Sequence, residues 1–467
     1  MEEEAEVSIV EHEHRRRRDA KPFLYSAALV LFVSASFCAA AYMPGVFSRR
    51  VYVMDEVVCT SSSCQALSRL INSSVNGDLD PCDDFYAYVC DGWRRSRSLR
   101  PLEYGQAVYD IRHVQEIVLR AEKEIPADEV MRTCQQWLAD LMLDTWNSFV
   151  SQSLAKRADI ERLTQLVSDI KNVFYRRVRR AEWMDAATKN ISVQKAQNIA
   201  FNIPSIERDA ALDKAYESLL MDARGGSSSF LDLVTRLVEV NHESNELSVY
   251  GVIDRSDSAT VHSSVNAMYV YSLNVVNVNA ALLALPFFTQ GAPLSVTYGS
   301  LGAIVAHEII HGFDVSGRLY DEVGSFEEWW SNATNAAYRE ASACFVEQMR
   351  SLASSANAGS VTLEENTADN GGARCAYEAY VLAAERAPVV VQLRGLEAFE
   401  EEQLFFVAYC YKFCGIERPS SATQRLATHP ADRLRCNVPL LNMPEFASAF
   451  ECEPGAAMNP ARRCAVW

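Results

Sequence analysis

The chain is short of basic residues. Its 44 lysines and arginines face 61 aspartates and glutamates, a formal charge of −17. That leaves little positive surface to grip a phosphate backbone, so nucleic acid is set aside as a partner. There is no glycine-rich phosphate loop and no internal repeat, which excludes the nucleotide-binding and solenoid architectures that depend on them. Apolar residues are not lacking. At 49% hydrophobic over 467 residues, the chain is no disordered segment and can bury one large domain or two medium ones. The acidic excess then reads as a solubility feature.

One long uncharged run stands near the start, Phe23 to Met43 (FLYSAALVLFVSASFCAAAYM), about the length needed to cross a bilayer. Arg15, Arg16, Arg17, Arg18 and Lys21 precede it, against Arg49 and Arg50 after it, so the basic excess places the N-terminus in the cytoplasm. The organisation expected is a charged cytoplasmic tail at 1–22, a signal-anchor at 23–43 in the lipid bilayer, a stalk at 44–58, and an ectodomain beyond. A cleaved signal peptide is the rival, but its apolar core would be shorter and nearer the start. The expected location is the plasma membrane, single-pass type II, with the bulk of the chain extracellular. Thirteen cysteines agree with an oxidising compartment. Asn72, Asn190 and Asn332 lie in glycosylation sequons. The odd cysteine count leaves at least one thiol unpaired, with Cys38 in the anchor the natural candidate, while the small loop Cys59 to Cys64 (CTSSSC) suggests a local disulfide.

From Leu102 to Asp257 glycines are few, and stretches such as DIERLTQLVSDIKNVFYRRV carry apolar residues at helical spacing, so several packed helices are expected. Asn266 to Phe288 reads as strand passing into loop. Helix returns at Tyr298. From Trp329 to Trp467 the chain reads as mostly helical, interrupted by a turn at Asp369-Asn370-Gly371-Gly372 and ending in a cysteine-bearing tail.

The chemistry centres on His307-Glu308-Ile309-Ile310-His311. Residues four apart share a helix face, so both imidazoles can reach one Zn2+ at about 2.0–2.1 Å, with Glu308 placed to act as general base. Five residues alone could arise by chance in any helix. The apolar flank of Ile304, Val305, Ile309 and Ile310 argues otherwise, because buried histidines and a glutamate are costly without something to satisfy them. Gly312 can end the helix. A third ligand is still needed, and Glu365 in EENTADNGG is the best candidate. Asp369, one helical turn on, and Asp314, three residues past His311, can accept a hydrogen bond from a ligating imidazole and fix its orientation. For each acid alone, the bland alternative is a solvated helix face.

HEIIHGFD paired with ENTADNGG, the earlier VNAMY, the segment AEWMDAATK at 181–189 and the terminal FASAFECEPGAAMNPARRCAVW resemble the neprilysin and endothelin-converting-enzyme family of zinc peptidases. The resemblance implies a mainly α fold with a small β component: a zincin-type, thermolysin-like catalytic lobe at 266–467 and a shortened helical lobe at 59–265, behind a type II membrane anchor. It implies one Zn2+ per chain, held by His307, His311 and Glu365, with Glu308 as the catalytic glutamate and Asp314 and Asp369 orienting the histidines. His429 matches a histidine that stabilises the oxyanion, Arg435 an arginine that contacts substrate, and Asn266 with Ala267 a stretch that binds peptide backbone. It further implies disulfides Cys59 to Cys64, Cys82 to Cys452, Cys90 to Cys414 and Cys344 to Cys464. The last of these makes the terminal CAVW a disulfide element rather than a prenylation signal.

The chain also departs from the family. The comparison jumps from Cys134 to about Asp159, so a helical segment of the lobe that closes over the site is missing, as in a more open site, a splice form or an incomplete chain. Asn279-Ala280-Ala281 replaces a Pro-Ala-Gly, Ala427 a common aspartate and Phe413 a common tryptophan. Cys375, Cys410 and Cys436 are extra, and Cys134 is left without an evident partner. The function expected is extracellular hydrolysis of oligopeptides, with preference for an apolar residue after the cut implied by the family alone. The alternative is a catalytically weak or inactive relative that binds peptides or a partner. A structural zinc protein is less favoured, since such sites close with four protein ligands, mostly cysteine. A homodimer is the one assembly state carried forward.

Overall fold

Residues 55–98, 143–206, 264–353, 358–415 and 429–467, with isolated positions 214, 217 and 236, are described by the computed structural model of the chain. The expected tail, the apolar run at 23–43, Cys38 and Cys134 lie outside these residues. Among the described residues no helix is long and apolar enough to cross a membrane.

Side-chain caps set the helix starts. Ser61 accepts the N–H of Cys64 at 3.2 Å and opens α1 (Ser62–Ser74). Next come α2 (Phe85–Ser98), α3 (Leu143–Leu154) and α4 (Arg157–Arg180). In α4 the buried residues Leu163, Leu166, Ile170, Val173, Phe174 and Val178 recur at helical spacing and form the core-facing stripe. Asp185 caps α5 (Ala186–Asn198), accepting the N–H groups of Ala187 and Thr188 at 3.0 Å each. It also bonds the hydroxyls of Ser331 and Thr334, so one carboxylate joins the starts of two helices.

Two small sheets accompany the helices. β1 (Asp55–Cys59) runs parallel to a distant strand, Val389–Leu393. The expected stalk, 44–58, is therefore corrected at its end: residues 55–58 are paired strand, because DEVVC finds a β-branched partner in VVVQL. That partner was missed within a region read as helical. β2 (Ala200–Asn202), β3 (Ala267–Val270) and β4 (Val275–Val278) form a sheet in the order β2-β4-β3, with β4 buried at every position and β3 on the edge.

A single turn of helix (Leu294–Thr297) and a π-helical stretch (Tyr298–Gly302) lead into α6 (Ala303–His311), which is buried at every position but Ile304. After it come α7 (Asn332–Leu352), α8 (Leu363–Arg386), α9 (Glu401–Tyr411), α10 (Asp432–Leu441) and a last short helix, Pro444–Ala449. Beneath α6 the rings of Phe174, Phe313 and Trp467 meet edge to face at centroid separations of 4.8–5.8 Å.

The expected turn at Asp369-Asn370-Gly371-Gly372 is not a turn. The four residues lie inside α8 and are all buried. Tertiary packing overrides their weak helix propensity: a Cβ at Gly371 would come within 2.9 Å of Ile310 Cδ1, and one at Gly372 within 2.8 Å of the His307 backbone nitrogen. Gly372 lets α8 meet the α6 backbone, and Gly371 leaves room for the Ile310 side chain. Gly372→Val is accordingly expected to lower stability by about 1–3 kcal/mol and to reduce zinc uptake, because the backbone that must give way is that of His307. A urea midpoint and zinc content equal to those of the parent would refute this account of the crossing.

Disulfides join Cys59 to Cys64, Cys82 to Cys452, Cys90 to Cys414 and Cys344 to Cys464. A fifth, between Cys410 and Cys436, ties α9 to α10. Both had stood only as extra cysteines, since nothing local in sequence reveals that two helices bring them together. Among the described residues the free thiol is Cys375, buried in α8. Cys375 thus accounts for an unpaired thiol, and the candidate Cys38 lies outside the described residues.

Candidate metal and catalytic site

One turn of α6 separates His307 from His311, and their Nε2 atoms face each other 2.9 Å apart. From α8, Glu365 brings Oε2 to 3.4 Å from His307 Nε2 and Oε1 to 3.8 Å from His311 Nε2. Among the described residues these three form the one cluster of His, Cys, Asp or Glu whose ligand atoms all lie within 4.8 Å of one another.

Each imidazole is held from behind. Asp369 sits one turn beyond Glu365 on the same face, with Oδ1 2.9 Å from His307 Nδ1. Asp314 Oδ2 lies 2.6 Å from His311 Nδ1, while its Oδ1 accepts the N–H groups of Ser316 at 2.9 Å and Gly317 at 2.7 Å. Gly317 is required there, because a Cβ would strike the His311 carbonyl oxygen. Burial opposes a charge on His307, yet Asp369 more than compensates and raises it to about 9. Burial and the neighbouring His307 likewise oppose a charge on His311, and Asp314 reverses them. Burial also opposes ionisation of Glu365, but the contacts with His307 and His429 hold its carboxyl well below the usual range.

These atoms suit zinc. With both Nδ1 atoms turned to carboxylates, the two Nε2 lone pairs point at one spot beside an ionised carboxylate. Glu365 Oε2 is buried and makes no well-directed hydrogen bond, although His429 Nε2 lies 3.0 Å away. Two imidazoles and one carboxylate are the donors of a zinc site with an open fourth position, and the acids behind them raise ligand basicity.

Glu308 stands outside the cluster. Its Oε2 accepts the backbone N–H of Tyr269 in β3 at 2.9 Å, which ties the helix carboxylate to the edge strand. Gly312 makes room for the Tyr269 ring, 3.0 Å from where its Cβ would sit. Burial pushes the Glu308 carboxyl upward. Tyr269 was not foreseen; a backbone donor carries no side-chain signature.

Arg435 reaches from α10 to Asp369 with two bonds of 2.8 Å, and its Nη2 lies 3.5 Å from Glu365. The arginine matched to substrate contact is thus also built into the support of His307. His429 touches the same Glu365 from the cleft side. Asn266 and Ala267 line the recess beside the metal cluster, a cavity of about 100 Å³, together with Leu282, Ile304, Phe413 and Lys412. Lys412 was overlooked because it reads as an ordinary charge at a helix end. The sequon asparagines Asn72, Asn190 and Asn332 are exposed on helices.

Residues 266–466 match Peptidase family M13. Neprilysin-1 of Caenorhabditis elegans is 34% identical over 313 residues, 65% of this chain and 41% of its own length. The endothelin-converting enzyme homolog of Locusta migratoria is 31% identical over 309 residues, 65% of this chain and 42% of its own. Among solved structures, the open state of Mycobacterium tuberculosis zinc metalloprotease Zmp1 matches with a TM-score of 0.60 at 25% identity, covering 74% of this chain and 53% of that one. The chain spans about two fifths of the length of these curated relatives.

Proposed function

Because the chain belongs to the neprilysin and endothelin-converting-enzyme family, peptidase family M13, we propose that it is a zinc metalloendopeptidase that hydrolyses oligopeptides. The observation that carries the proposal is the division of labour on α6: His307 and His311 converge with Glu365, whereas the intervening Glu308 is held apart by the Tyr269 N–H. Zinc bound at the triad would supply a Lewis acid and make a water nucleophilic near neutral pH. Glu308, with its carboxyl raised by burial, accepts the proton of the attacking water and returns it to the leaving amine. His429 donates to the oxygen on which negative charge develops. Arg435, anchored on Asp369, presents its remaining N–H groups to the peptide. Asn266 and Ala267 lie where the edge strand β3 can receive an extended substrate backbone.

The cellular setting belongs to the same proposal: a type II protein of the plasma membrane, anchored through residues 23–43, with glycans on Asn72, Asn190 and Asn332. Five disulfides and three exposed sequon asparagines support an oxidising, extracellular environment. The purified protein is expected to cleave a mixed set of fluorogenic peptides, to fall silent with a chelator and to recover on addition of zinc. Silence from a folded, zinc-loaded protein would instead favour a relative that binds peptides without cleaving them.

A further inference from the structure

Six charged or titratable side chains line the recess beside the metal cluster: His307, Glu308, Asp369, Lys412, His429 and Arg435. Five have polar partners. Asp369 answers both His307 and Arg435, His429 lies against Glu365, and Glu308 accepts the Tyr269 N–H. Lys412 differs. It follows the last residue of α9 and is only 4% exposed, yet none of the ion pairs formed by the described residues includes it. Its Nζ stands 4.1 Å from the centroid of the Tyr409 ring and 4.8 Å from that of Phe413. Ring faces attract an ammonium by about 0.5–2 kcal/mol, well short of what a buried cation loses in leaving water.

We propose that Lys412 determines specificity by seating a carboxylate in the cleft, so that the enzyme prefers Glu or Asp on the substrate residue next to the scissile bond. This rests on the peptidase reading above and departs from the apolar preference that the family resemblance implies. Burial lowers Lys412 to about 7, so an apolar side chain in this recess would leave a dry amine without a partner, whereas a carboxylate favours the ammonium and answers it. Arg435 is set for the peptide backbone instead, with two of its donors on Asp369 and its guanidinium against the Phe413 ring, 5.0 Å from the centroid. The net charge of −17 does not oppose the preference. Exposed charges are screened within about 8–10 Å in physiological salt, while a cation inside the cleft acts at contact.

The test uses pentapeptides with Glu, Gln or Leu on either side of one bond, each made both cleavable and with that bond reduced so that it resists hydrolysis. Binding of the reduced peptides to the zinc-loaded full chain is measured by calorimetry, and cleavage of the others by kcat/KM. At one of the two positions Glu is expected to exceed Gln roughly ten- to hundredfold, the range of a hydrogen bond to a charged group. Lys412→Met should bring that ratio close to one, and Lys412→Arg, which keeps the charge, should retain it. Equal affinities for Glu and Gln in the parent, or a preference that survives Lys412→Met, would overturn the proposal. Discrimination in binding without any cleavage would sustain Lys412 while rejecting the peptidase reading. Cleavage without discrimination would do the reverse.

Discussion

Glu308→Gln is expected to lower kcat by about 10²–10⁴-fold while zinc content stays that of the parent. Glu308 lies next to His307 in sequence, but its carboxylate is outside the metal cluster and fastened to the Tyr269 N–H at 2.9 Å. The side-chain amide introduced by this substitution could still accept that hydrogen bond through its oxygen, so the geometry of α6 against β3 survives. What disappears is the capacity to take a proton from water and give it back. Metal analysis and steady-state kinetics on the same preparation separate the two. Loss of zinc in step with activity would show Glu308 to be a ligand, and full activity with zinc bound would remove it from the mechanism.

Asp369→Ala should be the most damaging single change to the site that spares the three ligands. Asp369 is the shared partner of His307 at 2.9 Å and of Arg435 through two contacts of 2.8 Å, and it is 5% exposed. Removing it leaves the part-buried Arg435 guanidinium with only the 3.5 Å contact to Glu365, an under-paired charge that typically costs about 1–3 kcal/mol. It also frees His307 from its orienting acid, which typically weakens metal binding about 10–100-fold. The two effects can be told apart. The double variant Asp369→Ala/Arg435→Ala should recover part of the stability, since no charge is left stranded, but none of the zinc affinity. Denaturant midpoints and competition with a chromogenic chelator provide the two readings. Zinc affinity equal to that of the parent in either variant would contradict the orienting role of Asp369.

The histidine pair was legible because helical periodicity alone puts residues four apart on one face. The same rule identified Glu365 with Asp369, and the short step from His311 to Asp314 flagged the second orienting acid. The linear order could not say that the two motifs meet. That depends on Gly371 and Gly372, which resemble turn residues in isolation and serve instead as the contact where α8 lies on α6. The strand pair β1 with Val389–Leu393 escaped notice for a related reason: each strand is short and gains its hydrogen bonds from a partner far away in the chain.

By itself, then, the order of residues determined the metal-binding set, the acid beside it and the family resemblance, because those reside in residue types at short fixed spacings. Tertiary structure alone decided that Arg435 braces Asp369, that a Tyr269 amide holds Glu308, that Cys410 meets Cys436 and that Lys412 faces the cleft. Each of these is a contact between separate elements. Burial, backbone approach and charge compensation come into being only when helices and strands pack, and no local pattern records them in advance.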